Sequence, residues 1–319
     1  RNFVPLAALA PPQVLIGDIF AHTELEAAPV FGPGAERSRP TLKIQDGCNN
    51  RCSFCVIPSV RGRSRSLRLE AVVEQVRELQ RAGYREVVLS GINLGRYGRD
   101  LEPRLTLADV VRAILSRTAA QRIRLSSVEP MDFTDELLEL MAGSPRIARH
   151  VHAPLQSGSD SVLRRMRRRY RAAQYEQRLC RAHRLLPEAA FGADVMVGFP
   201  GETEEDFEQT RALVARLPFT YLHVFTYSRR EGTPAAAMPD QVDPRAARER
   251  NRVLRELAAA KNLEFRRRQL GRALSVITLH DGSALSDNYL RVRLEGAPPE
   301  PNRIVDALIT GAVPGVRKA

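Results

Sequence analysis

From Thr41 onward the chain alternates short apolar runs with amphipathic segments, and this alternation restricts its fold more than any other feature. TLKIQDG reads as a strand. LEAVVEQVRELQRAG places its apolar residues at helical spacing and ends at Gly83, a residue suited to a helix C-cap. REVVLSG and LADVVRAILSR repeat the pair, and IRLSSVEP, TDELLELMAG, HVHAPLQSG, DSVLRRM, GADVMVGFPG, TEEDFEQTRALVARL and YLHVFTYS carry it on. Six strand–helix repeats imply an α/β domain with a parallel sheet, because parallel neighbours need crossover connections. An open doubly wound sheet and a curved partial (β/α)6 TIM-like barrel both satisfy the periodicity.

Beyond Pro244 a basic amphipathic helix, RAARERNRVLRELAAAKNLEFRRRQLG, precedes three β-like segments, ALSVITLHDG, NYLRVRLEG and RIVDALITGAV. Separated by Gly, Pro and Asp, these have the composition of a small antiparallel barrel. Residues 1–38 show no sustained period and run into FGPGAERSRP, which reads as a linker. The expected division is therefore 1–38, a core over 39–262, and a β domain over 263–319.

Composition narrows the function. A 43% hydrophobic content supports a buried core, and the formal charge of +12 favours a polyanionic partner such as nucleic acid. An Arg-rich solvated surface is the bland alternative. Four cysteines are too few for a disulfide scaffold, and three of them fall within eight residues, a crowding typical of metal ligation in a reducing compartment. No apolar run has the length of a membrane span, and the stretch Val4 to Ile16 is broken by Pro11-Pro12, so neither membrane nor secretion is expected and the location expected is cytoplasmic.

Cys48, Cys52 and Cys55 follow directly on the first expected strand, where a barrel places its catalytic loops. Structural zinc is one reading, but such sites are closed by four Cys or His ligands, and His150, His152 and Cys180 lie far downstream. Three thiolates suit an iron–sulfur cluster with one iron left open. Cys180 falls in a helical segment and reads as a small buried hydrophobe. Ser90-Gly91 and Gly198-Phe199-Pro200-Gly201-Glu202 end later strands. Their glycines permit a close backbone approach to a ligand, or are ordinary strand-to-helix turns. Glu129, Gln156 and Ser157 sit at strand ends, facing a ligand or capping a helix. The tract Arg164–Arg171 suits phosphate contacts or a solvated helix face.

C-x3-C-x2-C after the first strand of a (β/α) domain resembles the signature of the radical S-adenosylmethionine (SAM) superfamily. Over residues 39 to about 240, KIQDGCNNRCSFCVIPSVRGRSRS, SSVEPMD, HAPLQSGSDSVLRRM, ADVMVGFPGETEEDF and YLHVFTYSRREGTPAA resemble the methylthiotransferases. KIQDGCNN and SRREGTPAA are most similar to the family acting on N6-threonylcarbamoyladenosine in tRNA, and ALSDNYLRVRL resembles, more loosely, a TRAM RNA-binding domain.

The resemblance implies one 4Fe-4S cluster on Cys48, Cys52 and Cys55, with SAM chelating the open iron. It implies SAM contacts from Ser90 and Gly91, and from among Glu129, Gln156, Ser157, Asp194 and Gly198. The implied reaction adds a methylthio group to C2 of the modified adenosine at tRNA position 37. Isopentenyladenosine-37, a ribosomal protein, or SAM cleavage alone are the alternatives. The implied partners are a tRNA anticodon loop and a reductant such as flavodoxin or ferredoxin, and a monomer is expected. Methylthiotransferases carry a second, auxiliary 4Fe-4S cluster on three cysteines of an N-terminal domain. No cysteine precedes Cys48, so residues 1–38 are expected to be the remnant of that domain in a truncated chain.

Overall fold

The computed structural model describes residues 18–25, 38–296 and 299–312. β1 (Thr41–Asp46) leads through the cysteine loop into the short α1 (Ile57–Arg61), and β2 (Arg65–Ser66) returns antiparallel to β1. α2 (Leu69–Arg81) crosses to β3 (Glu86–Gly91), α3 (Leu107–Arg117) to β4 (Arg122–Leu125) and α4 (Asp135–Gly143) to β5 (His150–His152). Two helices, α5 (Asp160–Arg165) and α6 (Ala172–Leu185), separate β5 from β6 (Ala190–Val197). α7 (Glu204–Arg216) crosses to β7 (Tyr221–Thr226), and α8 (Pro244–Arg267) packs against β7.

The ladders run β2-β1-β3-β4 and β5-β6-β7, with a parallel bridge between Ile123 and Ile147 where the two meet. The strand order of the six parallel strands never reverses. Right-handed crossovers of constant sense put every helix on one face, which excludes the doubly wound alternative and leaves the partial (β/α)6 barrel.

Local chemistry explains the helix ends. Thr106 with Asp109 and Thr203 with Asp206 form reciprocal capping boxes that start α3 and α7. The chain leaves α2 through Gly83 at φ +92°. On β6 the alternation sorts the two faces. Phe191, Ala193, Val195 and Val197 join the main core with Val72, Val76, Val110 and Ile114 of the outer helices. Gly192, Asp194 and Met196 turn to the barrel interior, where a Cβ on Gly192 would lie 2.0 Å from the Tyr221 ring.

The C-terminal part is a four-stranded antiparallel sheet, ordered β10-β9-β8-β11, from β8 (Ala273–Thr278), β9 (Ser283–Ser286), β10 (Arg291–Arg293) and β11 (Ile304–Leu308). Three strands were expected there. The fourth arises because ALSVITLHDGSALS doubles back at Gly282, whose φ of +75° a glycine adopts without strain. The boundary expected at 262/263 falls inside the continuous α8. Most of the expected remnant 1–38 lies outside the described residues.

This sheet stoppers the floor of the barrel, the end where the parallel strands begin. Glu86, fully buried at the start of β3, takes Arg124 at 2.8 Å and Arg122 and Arg39 at 3.3 Å. Arg124 also donates to the carbonyls of Ser286 and Asp287, Arg122 to Ser275 Oγ, and Arg149 to the Asp287 carboxylate. Tyr289 stacks on His150 with ring centroids 4.2 Å apart. Among the described residues no helix is long and apolar enough to cross a membrane.

Candidate iron–sulfur site and barrel interior

The cysteine loop opens at Gly47, directly after β1. At φ +69° its missing Cβ would sit 2.0 Å from the Arg63 carbonyl, so only glycine makes this turn. Cys48 N–H then bonds Gly62 O at 3.1 Å, and the loop lies at the end of the barrel opposite the floor. All three cysteines are half-buried free thiols, and burial pushes the Cys48 and Cys55 thiols up.

N–H donors already point at two of the sulfurs. Asn50 N–H lies 3.4 Å from Cys48 Sγ, Asn93 Nδ2 lies 3.7 Å from it, and Arg168 Nη1 lies 3.4 Å from Cys52 Sγ. Such donors offset thiolate charge and are what a thiolate-ligated cluster uses to set its potential. A structural zinc site is closed by four Cys or His ligands, whereas three half-buried thiols on one loop suit an iron–sulfur cluster with one iron left open.

Arg168 is the centre of the polar mouth. It is buried in spite of its charge, ion-paired with Glu129, and its guanidinium lies 5.1 Å from the Tyr170 ring centroid. Tyr170 in turn donates to the carbonyls of Pro154 and Leu155 at 3.0 and 2.9 Å, tying the Arg tract to the chain after β5. On the β3 side, Gln45 bridges the carbonyls of Asp46 and Gly47 and accepts from Asn93 N–H at 2.7 Å. A Cβ on Gly91 would lie 2.9 Å from this glutamine.

Residues 42–214 match the profile of the radical SAM superfamily. The chain belongs to that superfamily. Curated relatives place it among the methylthiotransferases of the superfamily. It is 40% identical over 260 residues to "Threonylcarbamoyladenosine tRNA methylthiotransferase MtaB" of Rickettsia prowazekii, covering 81% of this chain and 62% of that protein. The Aquifex aeolicus protein of the same name is 37% identical over 300 residues, with 93% and 72% covered. A "tRNA-2-methylthio-N(6)-dimethylallyladenosine synthase" of Acidothermus cellulolyticus is 41% identical over 274 residues, with 86% and 54% covered. The chain thus spans less than two thirds of the length of several relatives it matches. The solved radical SAM methyltransferase TsrM of Kitasatospora setae aligns with a TM-score of 0.53 at 22% identity, over 62% of this chain and 38% of that one, which supports the fold.

In this radical SAM barrel, Cys52 and Glu129 meet at Arg168, Cys48 faces Asn50 and Asn93, and Ser90 and Gly91 end β3 beside Gln45. Gln156 bridges into β6, with its N–H on Asp194 O and its carbonyl on Met196 N–H, both at 2.8 Å, and holds φ +65°. Ser157 is fully buried, meets Thr210 Oγ1 at 3.2 Å and accepts from Ser159 N–H, which fastens α7. Gly198 makes room for α8, since its Cβ would lie 2.6 Å from the Ala247 Cβ. Asp194 lies deeper, on the inner face between His152 and His223.

The sequence reading missed Arg168, Asn93 and the aromatic ladder of His150, His152, Tyr221 and His223. Tyr221 OH lies 2.7 Å from His150 Nε2 and 2.8 Å from His152 Nδ1. The signal was present as polar residues two apart in HVHAPLQSG and YLHVFTYS, an alternation that points them all to one face. Two arginines of the 164–171 tract are structural: Arg168 as described, and Arg165, which binds Gly201 O at 2.8 Å and Asp206 at 3.2 Å. Cys180 is half-buried against the main core, as expected of a small hydrophobe.

Proposed function

We propose that this chain is the SAM-cleaving core, with the RNA-facing C-terminal sheet, of a methylthiotransferase acting at C2 of N6-threonylcarbamoyladenosine-37 in tRNA. The observation that carries the reading is the trio of half-buried cysteines, each able to hold one iron, at the mouth of a barrel whose interior is polar. Its 40% identity to a relative named for this substrate supports the target.

Cys48, Cys52 and Cys55 would hold a 4Fe-4S cluster. When bound, the cluster supplies the electron that cleaves SAM to methionine and a 5′-deoxyadenosyl radical. Ser90, Gly91, Glu129 and Gln156 would hold SAM against the open iron. Arg168, pinned between Glu129 and Cys52, would fix the carboxylate and offset the charge of its sulfur. Exposed Arg51, Arg63, Arg167 and Arg169 surround the mouth and would take RNA phosphates, with β8–β11 acting as a TRAM-like module. Sulfur attachment would need a second cluster carried away from Cys48–Cys55, and flavodoxin or ferredoxin would supply electrons to a monomeric, cytoplasmic enzyme.

Anaerobic reconstitution tests the core of this reading. Expected are about four irons per chain and 5′-deoxyadenosine on addition of SAM and dithionite, both lost in Cys52→Ala. Iron retained by that variant refutes the ligand assignment. Nucleosides of tRNA from a strain lacking the gene test the target. Loss of the methylthio form of threonylcarbamoyladenosine is expected. Loss of the isopentenyl form instead would support the second reading, which the 41% identity to the dimethylallyladenosine synthase favours.

A further inference from the structure

Below the mouth, three consecutive parallel strands each direct one metal-competent side chain inward: His152 from β5, Asp194 from β6 and His223 from β7. Asp194 and His223 are direct cross-strand partners, and His152 pairs with Gly192 in the same ladder. Their ligand atoms all lie within 4.8 Å of one another, the one group of His, Cys, Asp or Glu among the described residues to do so. His152 Nε2 faces one carboxylate oxygen of Asp194 and His223 Nδ1 the other, each at 3.2 Å.

The two histidines differ in a telling way. His223 is half exposed and hydrogen-bonds to Asp194. The His152 side chain is 6% exposed, and its Nε2 is a buried nitrogen with no hydrogen-bond partner, although it lies 3.2 Å from the carboxylate. Its other nitrogen is held by Tyr221 OH at 2.8 Å. That is how metal-ligating histidines are oriented: one nitrogen is anchored by an outer partner so that the other addresses the ion.

We propose that His152, Asp194 and His223 form a mononuclear site for a zinc-class divalent cation, distinct from the cysteine cluster. Two nitrogens and one carboxylate oxygen suit zinc and its first-row neighbours and are too nitrogen-rich for magnesium or calcium. Ligands at about 2.0–2.1 Å around a tetrahedral ion stand about 3.4 Å apart, and the three ligand atoms already lie within 4.8 Å of one another. Three protein ligands leave one position for water, on the side where His223 is open to solvent. Strands, not loops, carry all three groups, so the site is preformed.

The test uses the full chain with its iron–sulfur centre reconstituted. Zinc is titrated in the presence of a weak competing chelator, and iron and zinc are counted on the same sample. One zinc per chain with unchanged iron is expected. His223→Ala and Asp194→Asn should each weaken zinc binding by about 100-fold with iron and melting profile unchanged. His280→Ala, at an exposed turn, should bind as the parent does. Absence of stoichiometric zinc, parental affinity in His223→Ala, or iron lost in proportion to zinc gained would each overturn the proposal. The iron count reports on the cysteine reading separately, so the two fail independently.

Discussion

Replacing Glu86 with glutamine removes the only carboxylate among the described residues in direct contact with Arg39, Arg122 and Arg124 at the barrel floor. The Arg122 and Arg124 side chains are 3% and 2% exposed, so neither can recover its lost partner from water. Breaking a buried pair costs about 3–5 kcal/mol. Arg124 keeps the Ser286 and Asp287 carbonyls, and Arg122 keeps Ser275, which places the cost near the lower end, about 3 kcal/mol. At roughly 2 °C per kcal/mol for a chain of this size, the melting temperature should fall by about 6 °C. Burial opposes ionisation of Glu86, but Arg124, Arg39 and Arg122 outweigh it and lower the pKa below 4.5. A lowered folded pKa gives stability that is complete above the ordinary value and lost as pH falls through the folded one. The gap between parent and Glu86→Gln should therefore be constant near neutrality and close in acid. Glu70→Gln, which loses an exposed pair with Arg117, should leave the melting temperature essentially unchanged. Scanning calorimetry at several pH values decides the matter. A fall under about 2 °C, or a gap that persists in acid, would refute the reasoning.

Other consequences can be checked alongside. Arg168→Met should retain iron but lower the reduction potential of the cluster, because a cation is withdrawn from Cys52; an unchanged potentiometric midpoint would contradict this. Gly198→Ala, forced to φ +72° with its Cβ 2.6 Å from Ala247, should lose about 1–3 kcal/mol in chemical denaturation. Burial works against the Asp206 carboxylate, but Ser159, Ser161, Thr203 and Arg165 pull its pKa down to about 2. Its stabilising effect should be full above about pH 4 and vanish as pH falls through about 2, an acid limb that Asp206→Asn lacks in urea titrations. Removing the chain beyond Leu270 should destabilise the barrel itself, seen as loss of the cooperative melt, because Arg122, Arg124 and Arg149 lose their acceptors.

The barrel was readable because its signals are local. α3 occupies the segment LADVVRAILSR that periodicity selects, and α2 stops where Gly83 permits. The cysteine triplet was equally plain, since three cysteines on one loop need no tertiary information. The packing roles of Ser157 and Gly198 were not legible, because a polar residue or a glycine after a strand serves packing and ligand contact alike, and their partners Thr210 and Ala247 are distant in sequence. Arg168 was hidden for the opposite reason. Within a run of arginines no spacing distinguishes the one that Glu129 and Tyr170 draw inward from those left in water. The C-terminal sheet showed three of its four strands but not its seat, since contacts such as Arg124 to Ser286 join residues far apart in sequence.

The stopper at the base also bears on heredity. A module tethered by a linker can be traded between genes without regard to its host. Here the exchange would have to move Asp287 and Ser275 together with Glu86, Arg122, Arg124 and Arg149, or leave stranded charge on both halves of the hybrid. Chimaeras joined within α8 should accordingly succeed only when donor and recipient share that set, so the two halves are bound to diverge in step.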